Sequence, residues 1–305
     1  MITYVSGSLF QSPAHVLVNT VNTVGVMGKG IAYQFKLAYP EMFKQYQAWC
    51  ESGQFNIGQL WLYKTSHKWI LNFPTKQDWR QPSRLEYIEQ GLKKFVTMYP
   101  LKGITTISFP QLGCGNGELN WDKQVKPLME NYLSNLPISV YIHLYDAKNA
   151  VPEHRDARMI RQWLQGEPQQ LAFIEFWSDL RRLLQSTAIF TTLETKISFS
   201  VTIDDAENVV FSPSNAPSFR ISKEDDGFLE LWQYIRAAGY CIPDRLPIGL
   251  DRYAPYLVAL LGHLDYFQQV QITPKSSASQ MGLCLVPPRL LKPRSTAMFS
   301  PALSL

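Results

Sequence analysis

The sequence predicts an α/β domain over residues 1–150 followed by an α+β domain over residues 151–305. Three observations predict this. The first half alternates short β-branched runs with segments of helical period, the second half loses that alternation, and two glycine-rich segments directly follow strand candidates of the first half. In open α/β sheets the carboxyl ends of the strands are where ligands bind.

In the first half, strands are predicted at Ile2–Val5, His15–Val18, Gln59–Tyr63, Trp69–Leu71, Thr105–Phe109 and Val140–Leu144. Helices are predicted near Ile31–Leu37, Pro40–Cys50, Arg84–Met98 and Trp121–Leu133. The Arg84 helix carries Leu85, Ile88, Leu92, Phe95 and Val96 as one apolar stripe, the spacing of a face turned to a core.

Residues 147–170 read as a junction, with a charged helix to about Gln165 and then Gly166-Glu167-Pro168. A helix from Gln169 to Gln185 places Phe173, Ile174, Trp177, Leu180 and Leu184 on one face. Strands at Lys196–Ile203 and Asn208–Phe211, helices near Gly227–Ala238 and Tyr253–Leu261, and strands at Tyr266–Ile272 and Met281–Val286 complete the second domain. The tail from Pro287 holds four prolines and several serines and is expected to fray. This half contains no recognisable chemical motif.

Composition narrows the classes. At 305 residues with 13% aromatics the chain can bury two cores, and no apolar run approaches the ~20 residues of a membrane span. The start, Met1-Ile2-Thr3-Tyr4-Val5, shows no basic region followed by an apolar stretch, so no secretory signal is expected. Cys50, Cys114, Cys241 and Cys284 lie far apart with no CxxC pair, which argues against a zinc site or disulfide scaffold and fits a reducing cytoplasm. The five histidines show no ligand spacing, and neither a metal nor a cofactor is expected; His143, on a predicted strand, reads as a hydrogen-bonded structural residue. Residues 1–150 carry 14 Lys plus Arg against 9 Asp plus Glu, and residues 151–305 carry 15 against 16. The basic first half suits a nucleic-acid or pyrophosphate ligand and equally suits plain solubility.

The chemistry concentrates in Val18-Asn19-Thr20-Val21-Asn22-Thr23-Val24-Gly25-Val26-Met27-Gly28-Lys29-Gly30-Ile31-Ala32. A buried strand delivers two asparagines to its tip, and a glycine turn leads into a helix start. Glycines allow close backbone approach to a ligand, and free N–H groups at a helix N-terminus attract an anion. The spacing is neither GxGxxG nor a GKS/GKT loop. Asn22 sits where a side-chain amide can both donate to and accept from ribose hydroxyls, or else stabilise the turn. Asn19 reads as a structural hydrogen-bonder behind the site. The second loop, Gly113-Cys114-Gly115-Asn116-Gly117, offers successive N–H groups in a concavity suited to a pyrophosphate. Cys114 has no His/Asp partner nearby in sequence and reads as a small loop residue.

These motifs, with Gly7-Ser8-Leu9-Phe10, Asn72-Phe73-Pro74-Thr75-Lys76, Pro110-Gln111-Leu112 leading into the second loop, and Trp121, resemble macrodomains, the ADP-ribose-binding α/β modules. They are most similar to the DarG branch, the DNA ADP-ribosyl glycohydrolase antitoxins. The resemblance runs from residue 1 to about 146 and implies a mixed central sheet flanked by helices. It further implies that Ser8, Leu9, Thr20, Val21, Asn22, Met27, Gly28, Lys29, Gly30, Gly113, Cys114, Gly115, Asn116, Gly117 and Tyr145 bind ADP-ribose, with the two glycine loops gripping the diphosphate from opposite sides.

The resemblance also implies that Lys76 is catalytic. Pro74 stiffens the segment from which it rises. An ammonium there can offset charge on the leaving group or donate a proton, and a neutral amine can attack the anomeric carbon; the sequence leaves these open. Trp79 and Arg80 either contact a base and a phosphate or pack the loop. Asp78 and Glu118 lie near the loops but define no acid–base pair. Two departures stand out. Relatives that act on terminal ADP-ribose carry an aspartate at the position of Gly117, and many macrodomains carry one at Ser8.

The implied function is removal of ADP-ribose from thymine bases of single-stranded DNA, releasing ADP-ribose, with the second domain binding and neutralising a DarT-type ADP-ribosyltransferase toxin. The alternatives are a non-catalytic ADP-ribose reader, or a hydrolase of small derivatives such as O-acetyl-ADP-ribose.

Overall fold

The structure is a computed structural model that describes residues 1–145, 152–224, 226–273 and 279–287. The chain divides into two compact units: Met1–Leu164 with Leu171–Phe176, and Gln165–Gln170 with the chain from Trp177 onward.

The first unit is built on a six-stranded mixed sheet. Its strands are β1 (Ile2–Ser6), β2 (Val16–Val21), β3 (Trp61–Lys64), β4 (Trp69–Pro74), β5 (Thr106–Pro110) and β6 (Ser139–Leu144), in the order β1-β6-β5-β2-β4-β3. All neighbours are parallel except β3, which runs antiparallel to β4 at the edge. Alternation along β2 sorts its side chains between two cores. Val16 and Val18 pack with Leu71, Phe73, Ile88, Leu92, Phe95 and Ile107, while Leu17 and Val21 pack with Met27, Phe35, Phe43, Tyr46 and Ile70. The first core is covered by α3 (Leu85–Met98) and α4 (Lys126–Leu133), the second by α1 (Gly30–Ala38) and α2 (Pro40–Glu51). Asn19 lies on the α1/α2 side, fully buried, and donates to Asn72 Oδ1 at 2.9 Å across the β2–β4 pair.

The predicted elements of this half are all present, with shifted ends. The helix expected over Trp121–Leu133 is a π-helical turn, Trp121–Val125, followed by α4. Pro127 accounts for the break: it offers no N–H to the preceding turn, so the chain re-enters the α-helix at its own first turn.

After the sheet, a 3-10 turn at Glu153–Asp156 leads into α5 (Ala157–Gln165), and α6 spans Phe173–Ser186. On α6, Phe173, Trp177 and Leu180 are buried as expected and Leu184 is half-buried, but Ile174 is exposed, a correction to the predicted face, and Phe176, outside that face, is buried. The neighbouring Glu175 is buried instead, because Trp79 and Arg80 both bond to its carboxylate.

In the second unit an antiparallel sheet runs β10-β9-β8-β7, from Phe219–Ile221, Val209–Pro213, Ser198–Ile203 and Ile189–Thr191. A smaller sheet runs β11-β13-β12, from Tyr240–Cys241, Gln280–Leu285 and Phe267–Ile272. Helices α7 (Phe228–Ala238) and α8 (Ala254–Leu261) bury Leu231, Trp232, Ile235, Leu257 and Leu260. Strands β7, β10 and β11 were not expected from the sequence: at two or three residues each they are too short to show alternation. The expectation for the tail from Pro287 lies almost wholly outside the described residues. Among those residues, no helix is long and apolar enough to cross a membrane.

Candidate active site

β2 and β4 end side by side, and the pairing continues beyond them. Thr75 N–H donates to Val21 O at 2.9 Å, and Thr23 N–H donates to Gln77 O at 3.1 Å. The first glycine loop and the Lys76 segment therefore leave the sheet in fixed register.

Asn22 knots the loop that follows. Its Oδ1 accepts from Val24 N at 3.1 Å and Val26 N at 3.2 Å, its Nδ2 donates to Val26 O at 2.6 Å, and Tyr46 Oη donates to Asn22 O at 2.8 Å. Both ends of the amide are engaged by its own loop, the turn-stabilising alternative. Gly25 and Gly30 both take positive φ, +78° and +62°, in the left-handed region where glycine is favoured. At Gly30 the requirement is doubled, because a Cβ there would fall 2.8 Å from Asn116 Nδ2. That close approach is where the two glycine loops meet. α1 begins at Gly30 with no side-chain cap from Lys29, so its first N–H groups remain available to an anion.

The second loop follows β5 and folds on itself: Leu119 N–H donates to Gly113 O at 3.0 Å, and Ser83 N–H donates to Gly117 O at 3.0 Å. Gly115 is exposed, with open space where a side chain would stand, while Gly113 holds φ +68°. A Cβ on Gly117 would lie 2.2 Å from Ser83 Oγ and 2.3 Å from Gly113 O. This loop has no room for the aspartate that related sequences carry at that position. Cys114 is no thiolate, since burial pushes its thiol up to about 12.

Lys76 lies between the loops, 5% exposed. Its Nζ donates to Asn116 O at 2.8 Å and to Glu153 Oε1 at 3.1 Å. Burial lowers its pKa, an effect opposed chiefly by Glu153 and more weakly by Glu118 and Asp78. Burial likewise raises the pKa of Glu153, opposed by Lys76, Lys29 and His154. Glu153 was not singled out in the sequence; a lone glutamate in a junction gives no signal, and only the fold brings it 77 positions back to Lys76.

The segment carrying Glu153 is anchored to the same loops. Glu118, at φ +62°, accepts from His154 Nε2 at 3.0 Å and pairs with Arg155. Further on, Ile160, Trp163 and Leu164 lie 3.5–3.6 Å from where a Cβ on Gly28 would stand. Trp163 meets Tyr33 edge-on at 4.9 Å, with Lys36 Nζ 5.0 Å from its ring centroid.

The remaining expected ligand residues border this region unevenly. Leu9 and Met27 are buried in the α1/α2 core, and Thr20 is half-buried on β2. Ser8 and Tyr145 are exposed, Tyr145 N–H donating to Gln111 Oε1 at 2.8 Å. Trp79 and Arg80 pack the loop: Trp79 is fully buried, donating Nε1–H to Glu175 Oε1 at 2.9 Å, and Arg80 bonds Glu175 Oε2 at 2.6 Å. Asp78 pairs with Arg80. His143, on β6, lies 3.2 Å through Nδ1 from Gly7 O.

Residues 18–127 match the macro domain family. A DNA ADP-ribosyl glycohydrolase of Thermus aquaticus is 44% identical over 148 residues, covering 47% of this chain and 41% of the relative. One of Mycobacterium tuberculosis is 48% identical over 126 residues, covering 40% and 36%. A DNA ADP-ribosyl transferase–DNA ADP-ribosyl glycohydrolase fusion protein of Thermosipho africanus is 37% identical over 162 residues, covering 47% and 42%. The matches thus span less than half the length of each of these relatives. The order of the sheet, the two glycine loops at its strand ends and this similarity converge: the N-terminal half of the chain is a macrodomain.

Proposed function

We propose that this chain is a DarG-type DNA ADP-ribosyl glycohydrolase, cleaving the N-glycosidic bond between ADP-ribose and a thymine base of single-stranded DNA. The observation that carries the reading is the position of Lys76, a buried lysine fixed where the β2 and β4 ends meet both glycine loops. Two of its three N–H donors are used by Asn116 O and Glu153, and the third donates to nothing among the described residues. An ammonium so held can protonate or hydrogen-bond the departing base as the glycosidic bond breaks, while water supplies the new oxygen at the anomeric carbon. The diphosphate is taken by the N–H groups of the two loops and the α1 N-terminus.

The test is incubation of the full chain with ADP-ribosylated single-stranded DNA. Release of free ADP-ribose and unmodified DNA supports the reading. Tight ADP-ribose binding with no turnover would make the protein a reader, and turnover confined to O-acetyl-ADP-ribose would make it a small-molecule hydrolase.

The second unit, in this reading, binds and neutralises a DarT-type toxin. A fused transferase–glycohydrolase relative supports the pairing of the two activities. Co-expression of residues 165–305, which contain the whole second unit, with the toxin should give partial rescue; a soluble fragment that neither copurifies with the toxin nor lowers its activity would overturn this half.

A further inference from the structure

We propose that Glu153 is the positioning residue of Lys76: its carboxylate, brought in by the segment that follows the sheet, holds the lysine ammonium charged and aimed between the two glycine loops. The inference rests on the glycohydrolase reading for its catalytic consequence, but not for the pairing itself.

Three observations carry it. The pair is buried on both sides, Lys76 at 5% and Glu153 at 8% exposure, with 3.1 Å between Nζ and Oε1. Glu153 does not reach this place by chance contact of a long side chain. Its neighbours His154 and Arg155 are both tied to Glu118 of the second loop, and α5 behind them packs Ile160, Trp163 and Leu164 over Gly28. Finally, no carboxylate can reach Lys76 from position 117 of the second loop, since Gly117 has no space for a side chain beside Ser83 and the Gly113 carbonyl. Glu153 supplies the negative charge from elsewhere in the chain.

The physical need is plain. A lysine withdrawn from water loses the hydration that favours its charged form, so burial drives it toward the neutral amine. Glu153 is the principal opposing charge on Lys76, with Glu118 and Asp78 contributing less; Lys29 and His154 are the other charged groups that act on Glu153. Removing the Glu153 charge while keeping its shape leaves Glu118 and Asp78 in place and lowers the pKa of Lys76 further. An ammonium that donates to the leaving base is then lost at lower pH.

The experiment uses the full chain and the variants Glu153→Gln and Glu153→Asp. The pH dependence of single-turnover ADP-ribose release is measured from ADP-ribosylated single-stranded DNA. In parallel, Lys76 is titrated directly through its 13Cε resonance in lysine-labelled protein, with Lys76→Arg assigning the signal. Glu153→Gln should shift both the alkaline limb of the rate and the Lys76 titration down by about one pH unit or more, while Glu153→Asp restores most of the shift. A Lys76 titration in Glu153→Gln that superimposes on the native one overturns the proposal. So does a shift produced equally by Glu153→Asp, which would trace the effect to shape rather than charge. If the native chain releases no ADP-ribose, the glycohydrolase reading falls, and the Lys76 titration alone still decides the role of Glu153.

Discussion

The ring of Phe73 occupies the place where a side chain at position 91 would stand. A Cβ on Gly91 would fall 2.1 Å from Phe73 Cζ, so α3 lies directly on the ring that precedes Pro74, Thr75 and Lys76. A glycine inside a 14-residue helix costs about 1 kcal/mol against alanine. Here it lets a helix backbone support the strand end that carries the lysine.

Gly91→Ala should therefore destabilise, despite its better helix propensity. Overpacking costs roughly 1–3 kcal/mol, which outweighs the helical gain of about 1 kcal/mol over most of that range. Because Phe73 is only three residues from Lys76, single-turnover ADP-ribose release should fall together with the melting temperature. A Gly91→Ala protein that melts higher than the native chain would show that Phe73 can repack freely.

What the sequence made legible follows from physics that is local. The β2 run Val16-Leu17-Val18, the glycine turn after it and the α1 start are adjacent in sequence, so their periods and turn residues sufficed to place them. The Gly113–Gly117 turn was readable for the same reason, whereas Lys76 was singled out by the resemblance of Asn72–Lys76 to the DarG branch, not by local physics. Residues whose roles depend on distant partners were not. Glu153 sits in a junction between domains, and Glu175 lies on a helix face that periodicity assigned to Ile174. Neither reveals its partner until the chain has folded. Asn22 differs from both: its loop partners Val24 and Val26 are local, and its bonds match the turn-stabilising alternative that its position at a strand tip already offered.

Lys76→Met leaves Glu153 buried without its counter-charge, and its cost should depend on pH. Breaking one side of a buried ion pair costs about 3–5 kcal/mol while the survivor stays ionised. Burial already holds the Glu153 pKa above the ordinary carboxylate range, and losing Lys76 raises it further. Between the unfolded and folded values the folded protein keeps a proton that the unfolded chain has lost, so stability falls as pH rises through that window. The melting deficit of Lys76→Met should thus be larger at pH 8 than at pH 5, and Lys76→Met/Glu153→Leu should recover most of it. Thermal unfolding at both pH values decides; a deficit independent of pH would mean that Glu153 finds another cation.

Gly117→Asp, which would restore the aspartate of related sequences, should impair the site. Ser83 Oγ, 2.2 Å from the new Cβ, can rotate away, but Ser83 Cβ at 2.7 Å and the backbone Gly113 carbonyl at 2.3 Å cannot move without reshaping the loop. ADP-ribose affinity should fall more than tenfold, about 1.4 kcal/mol, by titration calorimetry. Ser83→Gly in the same chain should not rescue it. Rescue by Ser83→Gly would show that the loop accommodates a side chain and that only the Ser83 side chain stood in the way.

A chain cut after Ala150 should be less stable than one cut after Ser186, although every glycine-loop motif lies before the first cut. The first compact unit takes in Leu171–Phe176 as well as the chain to Leu164, and these later residues close polar contacts that the earlier ones open. Phe173 N–H donates to Glu51 Oε1 at 3.0 Å, and Glu175 receives both the Trp79 indole N–H and the Arg80 guanidinium. The shorter chain strips these partners and uncovers Trp79, and leaving one buried polar group without its partner costs about 1–3 kcal/mol. It also removes Glu153, so Lys76 loses its carboxylate. Residues 1–186 should melt several degrees above residues 1–150, and the Glu175→Ala change in the longer chain should account for part of the gap. Equal melting temperatures for the two chains would show that residues 151–186 add nothing to the stability of the macrodomain, and that Trp79 and Arg80 are held without Glu175.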